Sequence, residues 1–228
     1  MASRAFVRIR EFYKRNLPIG DYLGEMFYAV WMVVVSLGIL GGTGFEGGAI
    51  AYVVFIAFAV NTAWGLIDGL TVMHTNIIER SKSDKAIFDL QTKGDAGSRD
   101  AGMDALSEGI TSTLSTDERG KVLDLISGSA PLKDNPYTKR YRPCKEDWTY
   151  ALGILSIDFL LVIPLVFPFL IFSQTSVALY VSRMISTLLF AIIGAAYAKN
   201  MNRRRWVAAL FLGTLCTSLF SLAFLAGW

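Results

Sequence analysis

Long apolar runs dominate the sequence and constrain its fold more than any other feature. A helix needs about 20 mainly apolar residues to cross a hydrocarbon layer of about 30 Å. Because 53% of the residues are hydrophobic and only 18% are charged, the composition is typical of an integral membrane protein. The sequence therefore predicts an all-α integral membrane protein with five transmembrane helices, approximately at residues 25–43, 49–73, 151–172, 175–198 and 206–228.

The distribution of Lys and Arg predicts the orientation of these spans. Five basic residues precede the first span, 12 lie between the second and third, and 4 lie between the fourth and fifth. The loops on the opposite side have none, and the remaining basic residue, Arg183, lies within the fourth span. The positive-inside rule then places the N-terminus in the cytoplasm and the C-terminus outside or in a lumen. Since these charges face the inner leaflet, we expect contact with membrane lipid and no nucleic-acid partner.

The chain is predicted to divide into four segments. Residues 1–24 form a basic segment in which Phe12 and other apolar side chains alternate with Arg and Lys, as in a short interfacial helix. No small-residue cleavage site follows the first span, so we interpret this region as an uncleaved anchor and not a signal peptide. The other three segments are spans one and two at 25–73, a cytoplasmic insert at 74–147, and spans three to five at 148–228.

The insert is predicted to be a small helical cap. Its first part, "IIERSKSDKAIFDLQ", extends the second helix, and the glycines of "GDAGSRDAG" interrupt it. Two further helices are expected at "MDALSEGITSTL" and "TDERGKVLDLIS". The second of these begins with Ser115 and Glu118 in the spacing of a capping box. A proline-rich, extended segment, "SAPLKDNPYTKRYRP", then returns to the membrane.

Polar residues inside the second span need an explanation, because a lone carboxylate in lipid is costly. Asn61, Gly65 and Asp68 recur at three- and four-residue steps and share one helical face. Gly65 and Gly69 also have the small-x-x-x-small spacing that lets another helix approach closely. The face is therefore either a plain helix contact or part of a functional site.

Three carboxylates are predicted to occupy the cytoplasmic half of the membrane: Glu25, Asp68 and Asp158. Hard oxygen ligands at one depth are suited to a divalent metal ion and to proton exchange. Met32, two turns from Glu25, would favour a softer ion such as iron or manganese. In this interpretation Asn61 orients Asp68.

Arg183 supplies an alternative for one of these carboxylates. A guanidinium inside a span must reach the interface or find a partner, and a long side chain could pair with Asp158. In the third span, Pro164 and Pro168 predict a kinked or broken helix, as is common at transport sites and also in plain packing.

Catalytic motifs are missing from the sequence. We find no nucleophile elbow, no paired-histidine metal motif and no phosphate-binding Walker loop, so the chain is not expected to be an enzyme. Cys144 and Cys216 are predicted in the cytoplasm and within the fifth span, and cannot meet in a disulfide.

Four stretches resemble one known family: "LPIGDYLGEMFYAVWMVVVS", "NTAWGLIDGL", "PLVFPFLIF" and "ALYVSRMISTLLFAIIGAAYAKN". They are similar to small five-helix proteins grouped with the vacuolar iron transporter family, over residues 17–73 and 151–228. The most specific part is the pattern Asn-x-Ala-Trp-Gly-x-x-Asp that ends at Asp68. The family places its Asp-Gly motif in the first span, whereas Asp68 and Gly69 lie in the second, and the insert has few of the family's metal-collecting glutamates.

The resemblance implies export of iron or manganese from the cytoplasm, exchange for protons, and a homodimer with its pore at the interface. We therefore expect a multi-pass divalent metal transporter with Glu25, Asp68, Asp158 and Met32 as metal ligands and with Asn61 and Arg183 in support. The metal is the transported substrate, and no bound cofactor is expected. The alternative is a non-transporting membrane scaffold whose intramembrane polar residues only hold helices together.

Overall fold

The computed structural model describes residues 11–42, 49–107 and 109–225, and within these ranges the regular structure is entirely helical. Gly94, with φ +63°, follows the longest helix, as is usual for a glycine just beyond a helix end. The elements are α1 Ile19–Gly42, α2 Ala49–Thr92, α3 Ala96–Ala105, a short 3-10 helix Gly109–Thr113, α4 Thr116–Ser127, α5 Lys145–Ile171, α6 Thr175–Asn200 and α7 Arg205–Leu225.

Three of these helices are long and apolar enough to cross a membrane, among the residues described. They are α2 over Val54–Thr92, α5 and α6. In α7 the stretch Arg205–Leu219 is a shorter apolar helix. Many large apolar side chains on these helices are exposed, for example Leu188 at 61% and Phe211 at 64%, as is expected of surfaces that face lipid. Three helices of this length and composition indicate a membrane protein, and the predicted first and fifth spans are not among the three.

The chain forms two compact units. One consists of residues 1–71 and 145–228, and the other of residues 72–144. The predicted insert, 74–147, has nearly the same boundaries. α2 is continuous through residues 71 and 72 and contributes to both units.

The core of the first unit is formed by apolar side chains of α1, α5, α6 and α7. Val30 and Val33 of α1, Leu165 of α5 and Phe190 of α6 are at most 1% exposed. The rings of Phe27 and Phe190 meet edge to face, with centroids 5.1 Å apart. Aromatic pairs in this geometry add stability beyond that of the buried area.

Part of the N-terminal segment packs on α5. Residues 11–16 are helical, and the hydroxyls of Tyr13 and Ser156 are hydrogen-bonded at 2.7 Å. Leu17 is 4% exposed and occupies the space that a side chain at Gly153 would need. Of the predicted interfacial side chains, Tyr13 therefore faces protein, whereas Phe12 is 39% exposed. The rest of that prediction, in residues 1–10, lies outside the described residues, as do most of the "GGTGFEGG" loop and Trp228.

α5 is continuous although it contains Pro164 and Pro168. Of the two predicted alternatives, a kink or a broken helix, the break is therefore excluded for this segment. Leu165, between the two prolines, has a carbonyl oxygen that accepts a hydrogen bond of 2.7 Å from the Ser182 hydroxyl of α6. This hydrogen bond joins α6 to α5 beside the two prolines.

The second unit confirms two predictions about its helices. α2 extends to Thr92, and α4 has the predicted capping box: the Glu118 carboxylate accepts the Ser115 N–H at 2.8 Å, and the Ser115 hydroxyl accepts the Glu118 N–H at 3.3 Å. The helix expected at "MDALSEGITSTL" lies earlier, at Ala96–Ala105, followed by the short 3-10 helix. Asp95 explains this shift, because its carboxylate accepts the Ser98 N–H at 2.8 Å and caps α3 inside the stretch that was expected to be irregular.

Residues 128–144 contain no helix, as predicted, and are bound along α2. The Tyr137 hydroxyl donates to Asp89 at 2.6 Å, and the Tyr141 hydroxyl donates to Asp84 at 2.9 Å. Lys139 forms an ion pair with Asp84 at 2.8 Å. These side-chain bonds, together with the ring contact of Tyr137 with Phe88, hold the segment on α2.

Candidate functional site

Asp158 lies at the middle of α5, thirteen residues from each end of the helix. By helical rise this is roughly 20 Å from either end. Its side chain is completely buried, and neither carboxyl oxygen has a hydrogen-bond partner. Arg183 therefore donates no hydrogen bond to Asp158. A buried carboxyl without such a partner is costly unless it carries a proton or binds a cation.

Glu25 of α1 is the immediate neighbour of Asp158. Its side chain is 7% exposed, and the two carboxyl groups lie close enough to share a hydrogen bond if one of them is protonated. Ionised carboxylates only accept hydrogen bonds. When both are ionised, Glu25 Oε1 and both oxygens of Asp158 are therefore left without partners. We name Glu25 and Asp158 the carboxyl pair.

Gly65 of α2 makes room for the carboxyl pair. A Cβ atom at Gly65 would lie 2.5 Å from Asp158 Oδ2 and 3.0 Å from the Cα of Leu155. One turn later, a Cβ atom at Gly69 would lie 2.9 Å from the carbonyl oxygen of Ala151. The small-x-x-x-small pattern is therefore used for a contact between α2 and α5 within one chain. It no longer supports a contact between two copies of the chain.

Asn61, one turn before Gly65 on α2, adds a neutral oxygen. It is completely buried, its amide nitrogen donates to the carbonyl oxygen of Ala57 at 3.1 Å, and its Oδ1 has no partner. That Asn61 orients Asp68 stays a prediction: the hydrogen bond described for this amide goes to its own helix, and Asp68 lies two turns further on. The hydrogen bond to Ala57 fixes the orientation of the amide, so the free oxygen has a defined direction.

Asp68 differs from the carboxyl pair in burial. It lies three residues after Gly65 and is half-buried, whereas Glu25 and Asp158 are buried. Its charge acts on both members of the pair, so the three carboxyls belong to one electrostatic cluster. Among the described residues, however, no three Asp, Glu, His or Cys side chains are grouped closely enough to hold a metal ion. An ion at the pair would depend on other oxygen donors.

The remaining predicted residues lie further from the pair. Met32 is half-buried on α1, seven residues and roughly 10 Å along the axis from Glu25. Arg183 is half-buried on α6, next to the Ser182 hydroxyl that donates to α5. The structure thus brings together Glu25, Asp158 and the Gly65 face of α2, and Met32 lies about two helical turns from Glu25.

The sequence analysis missed a second contact of α1 near the pair. The Tyr150 hydroxyl of α5 donates a hydrogen bond to Asp21. Asp21 precedes Glu25 by four residues, and this spacing places two side chains on the same face of a helix. The spacing could therefore have identified Asp21 as part of the acidic face of α1 that contacts α5.

Comparison with known proteins does not assign the chain to a family. No protein-family model, no curated protein and no solved structure matches the chain. The resemblance to the vacuolar iron transporter family thus rests on the sequence motifs alone.

Proposed function

We propose that the chain is a membrane transporter that moves a divalent metal ion, iron or manganese, out of the cytoplasm in exchange for protons. The observation that carries this proposal is the buried carboxyl pair, Glu25 and Asp158, in which Glu25 Oε1 and both Asp158 oxygens have no hydrogen-bond partner. A buried carboxyl inside a membrane helix is an indicator of an ion or proton pathway.

The pair supplies a physical reason for coupling metal to protons. Two adjacent carboxylates repel each other, and this repulsion is relieved either by a shared proton or by a bound cation. Binding of the metal then requires release of the proton, and return of the proton releases the metal. The same two side chains would thus exchange one substrate for the other.

The donors present fit a cation that prefers oxygen ligands. Glu25 and Asp158 supply carboxylate oxygens, and Asn61 supplies an amide oxygen that has no partner. Carboxylate and carbonyl oxygens suit manganese and other hard divalent ions. Asp68, half-buried and near the pair, is proposed as a further carboxylate on the path of the ion.

Five spans, a cytoplasmic N-terminus and a homodimer belong to this proposal. The number of spans and their orientation are supported by the distribution of Lys and Arg. The dimer is supported by the family resemblance. The small residues that first favoured a dimer form contacts within the chain: Gly65 and Gly69 with α5, and Gly194 with Ala208 of α7.

Flux into proteoliposomes tests the proposal. Glu25→Gln and Asp158→Asn keep the size of each side chain and remove its charge, so we expect both to abolish manganese flux without loss of folded protein. Asp89→Asn, which removes a carboxylate from the second unit, is the matched control and should retain flux. Wild-type flux in a well-folded Asp158→Asn protein would contradict the mechanism.

A scaffold without transport is the second candidate, favoured by the direct packing of Gly65 against Asp158 and of Gly69 against Ala151. In that case the polar residues serve helix contacts, and an amide in place of Asp158 should be tolerated. The scaffold predicts no metal flux by the wild-type protein in any proton gradient.

A further inference from the structure

The turn between α6 and α7 has an unusual concentration of positive charge. Lys199, Arg203, Arg204 and Arg205 lie within seven residues of sequence, and no Asp or Glu occurs anywhere after Asp158. The positive charge of this turn is therefore not balanced by any neighbouring residue in the sequence. Glu25 and Asp158, the carboxyl pair, are not part of this cluster of positive charges.

The backbone of the turn is held in one conformation. Asn202 adopts a left-handed conformation with φ 53°, which Asn tolerates better than most residues. The Arg203 N–H donates to the Ala198 carbonyl at 2.8 Å, which closes the end of α6. A Cβ atom at Gly194 would lie 2.5 Å from the carbonyl oxygen of Ala208, so α6 and α7 are in close contact just beyond the turn. The four cations are consequently displayed on a fixed support.

The side chains of the turn are exposed and combine charge with apolar surface. All four cations are exposed, and so are Met201 at 60% and Trp206 at 62%. Trp is enriched at the boundary between the hydrocarbon layer and water, where its ring lies at the level of the lipid headgroups. Since α6 is apolar enough to cross a membrane and ends at Asn200, the turn is expected at that boundary.

These cations differ from four cations of the second unit. There, Lys93, Arg99, Lys121 and Lys139 each form an ion pair with an aspartate. Within the described part of the chain, no ion pair is formed by the four cations of the turn. Among the described acidic residues, none therefore neutralises these charges.

We propose that the α6–α7 turn is a binding site for anionic phospholipid headgroups. Guanidinium groups match phosphate oxygens with two parallel hydrogen bonds, and three adjacent arginines provide this geometry more than once. Trp206 and Met201 would lie among the glycerol and upper acyl groups of the same lipids. The site anchors the α6–α7 hairpin to an anionic leaflet.

Native mass spectrometry of the full-length chain in a mild non-ionic detergent tests this site. The protein is supplied with equal amounts of phosphatidylglycerol and phosphatidylcholine, and the lipids retained are counted. We expect preferential retention of phosphatidylglycerol. Substitution of Arg203, Arg204 and Arg205 by Gln should weaken it on the order of a hundredfold, and Arg204→Gln alone about fivefold. The matched control changes Lys93, Arg99 and Lys121 to Gln, removes the same charge and should leave retention unchanged.

Three outcomes would overturn the site. The first is equal retention of both lipids by the wild-type chain. The second is an equal loss in the arginine variants and in the control, which would show an effect of net charge alone. The third is full competition by soluble glycerophosphate at the concentration of lipid phosphate, which would show a site for free anions. Should the triple variant fail to fold, Arg204→Gln, whose backbone contacts are unchanged, decides the result.

Discussion

Gly65 and Asp158 approach so closely that a single added methyl group on Gly65 would lie 2.5 Å from the Asp158 carboxyl oxygen. This contact joins α2 to α5 and gives the glycine a role that its sequence spacing alone does not reveal. The space left by the missing side chain is the space in which the carboxyl group lies.

Gly65→Ala should destabilise the first unit, because the new Cβ also meets the Leu155 backbone at 3.0 Å. Forcing an extra carbon into a packed interior typically costs about 1–3 kcal/mol. Thermal unfolding in detergent measures the effect. Gly20→Ala is the control, since nothing lies within 4 Å of its Cβ position. Equal stability of the two variants would contradict the close contact between α2 and α5.

Asp68→Asn should reduce metal flux less than Asp158→Asn does. Asp68 is half-buried, whereas Asp158 is completely buried and adjacent to Glu25. Removing the charge of Asp68 lowers the attraction for an entering cation, which we expect to raise the metal concentration needed for half-maximal flux. Removing the charge of Asp158 should abolish the exchange of metal for protons. Flux measured over a range of manganese concentrations separates the two effects, and an unchanged concentration dependence in Asp68→Asn would place Asp68 outside the path.

Cysteines introduced at Ser173 and Asn135 should be labelled from opposite sides of the membrane. Ser173 lies between α5 and α6, and Asn135 lies in the second unit. The five-span model places Ser173 outside and Asn135 in the cytoplasm, because the basic residues fall on alternate segments. An impermeant maleimide applied to sealed vesicles tests this, after replacement of Cys144 and Cys216. Labelling of both positions from one side would refute five spans.

The start of α4 should loosen in acid. The Ser115 N–H, and then its hydroxyl, hold the pKa of Glu118 below its usual value of 4.5. The lowered pKa means that the ionised carboxylate stabilises the folded helix. This stability is present above pH 4.5 and is lost as the pH falls through the lowered folded value.

Hydrogen exchange of α4, corrected for the intrinsic effect of pH, measures this loss. Glu118→Gln can still accept the Ser115 N–H but does not titrate in this range, so its exchange should not change between pH 6 and pH 3. A pH dependence in the glutamine variant as large as in the wild type would assign the effect to other groups. Ser115→Ala, which removes the cap, should destabilise the helix start by about 1 kcal/mol at neutral pH.

The sequence by itself determined the features that depend on local rules. The helices α5 and α6 were predicted from apolar runs long enough to cross a bilayer. The start of α4 was predicted from the spacing of Ser115 and Glu118. These predictions hold because helix formation and capping involve residues within four positions of each other. The start of α3 was misplaced, since the capping carboxylate of Asp95 was not considered.

Only the tertiary structure decided which polar residues meet. Glu25 and Asp158 are 133 positions apart, and no spacing rule connects them, because their proximity arises from the packing of α1 against α5. The same packing directed Gly65 and Gly69 toward their own chain, although the sequence pattern suits any neighbouring helix. Helix periodicity fixes the face of its own helix on which a residue lies. Which other helix packs against that face depends on the complementary shapes of all the helices in the bundle.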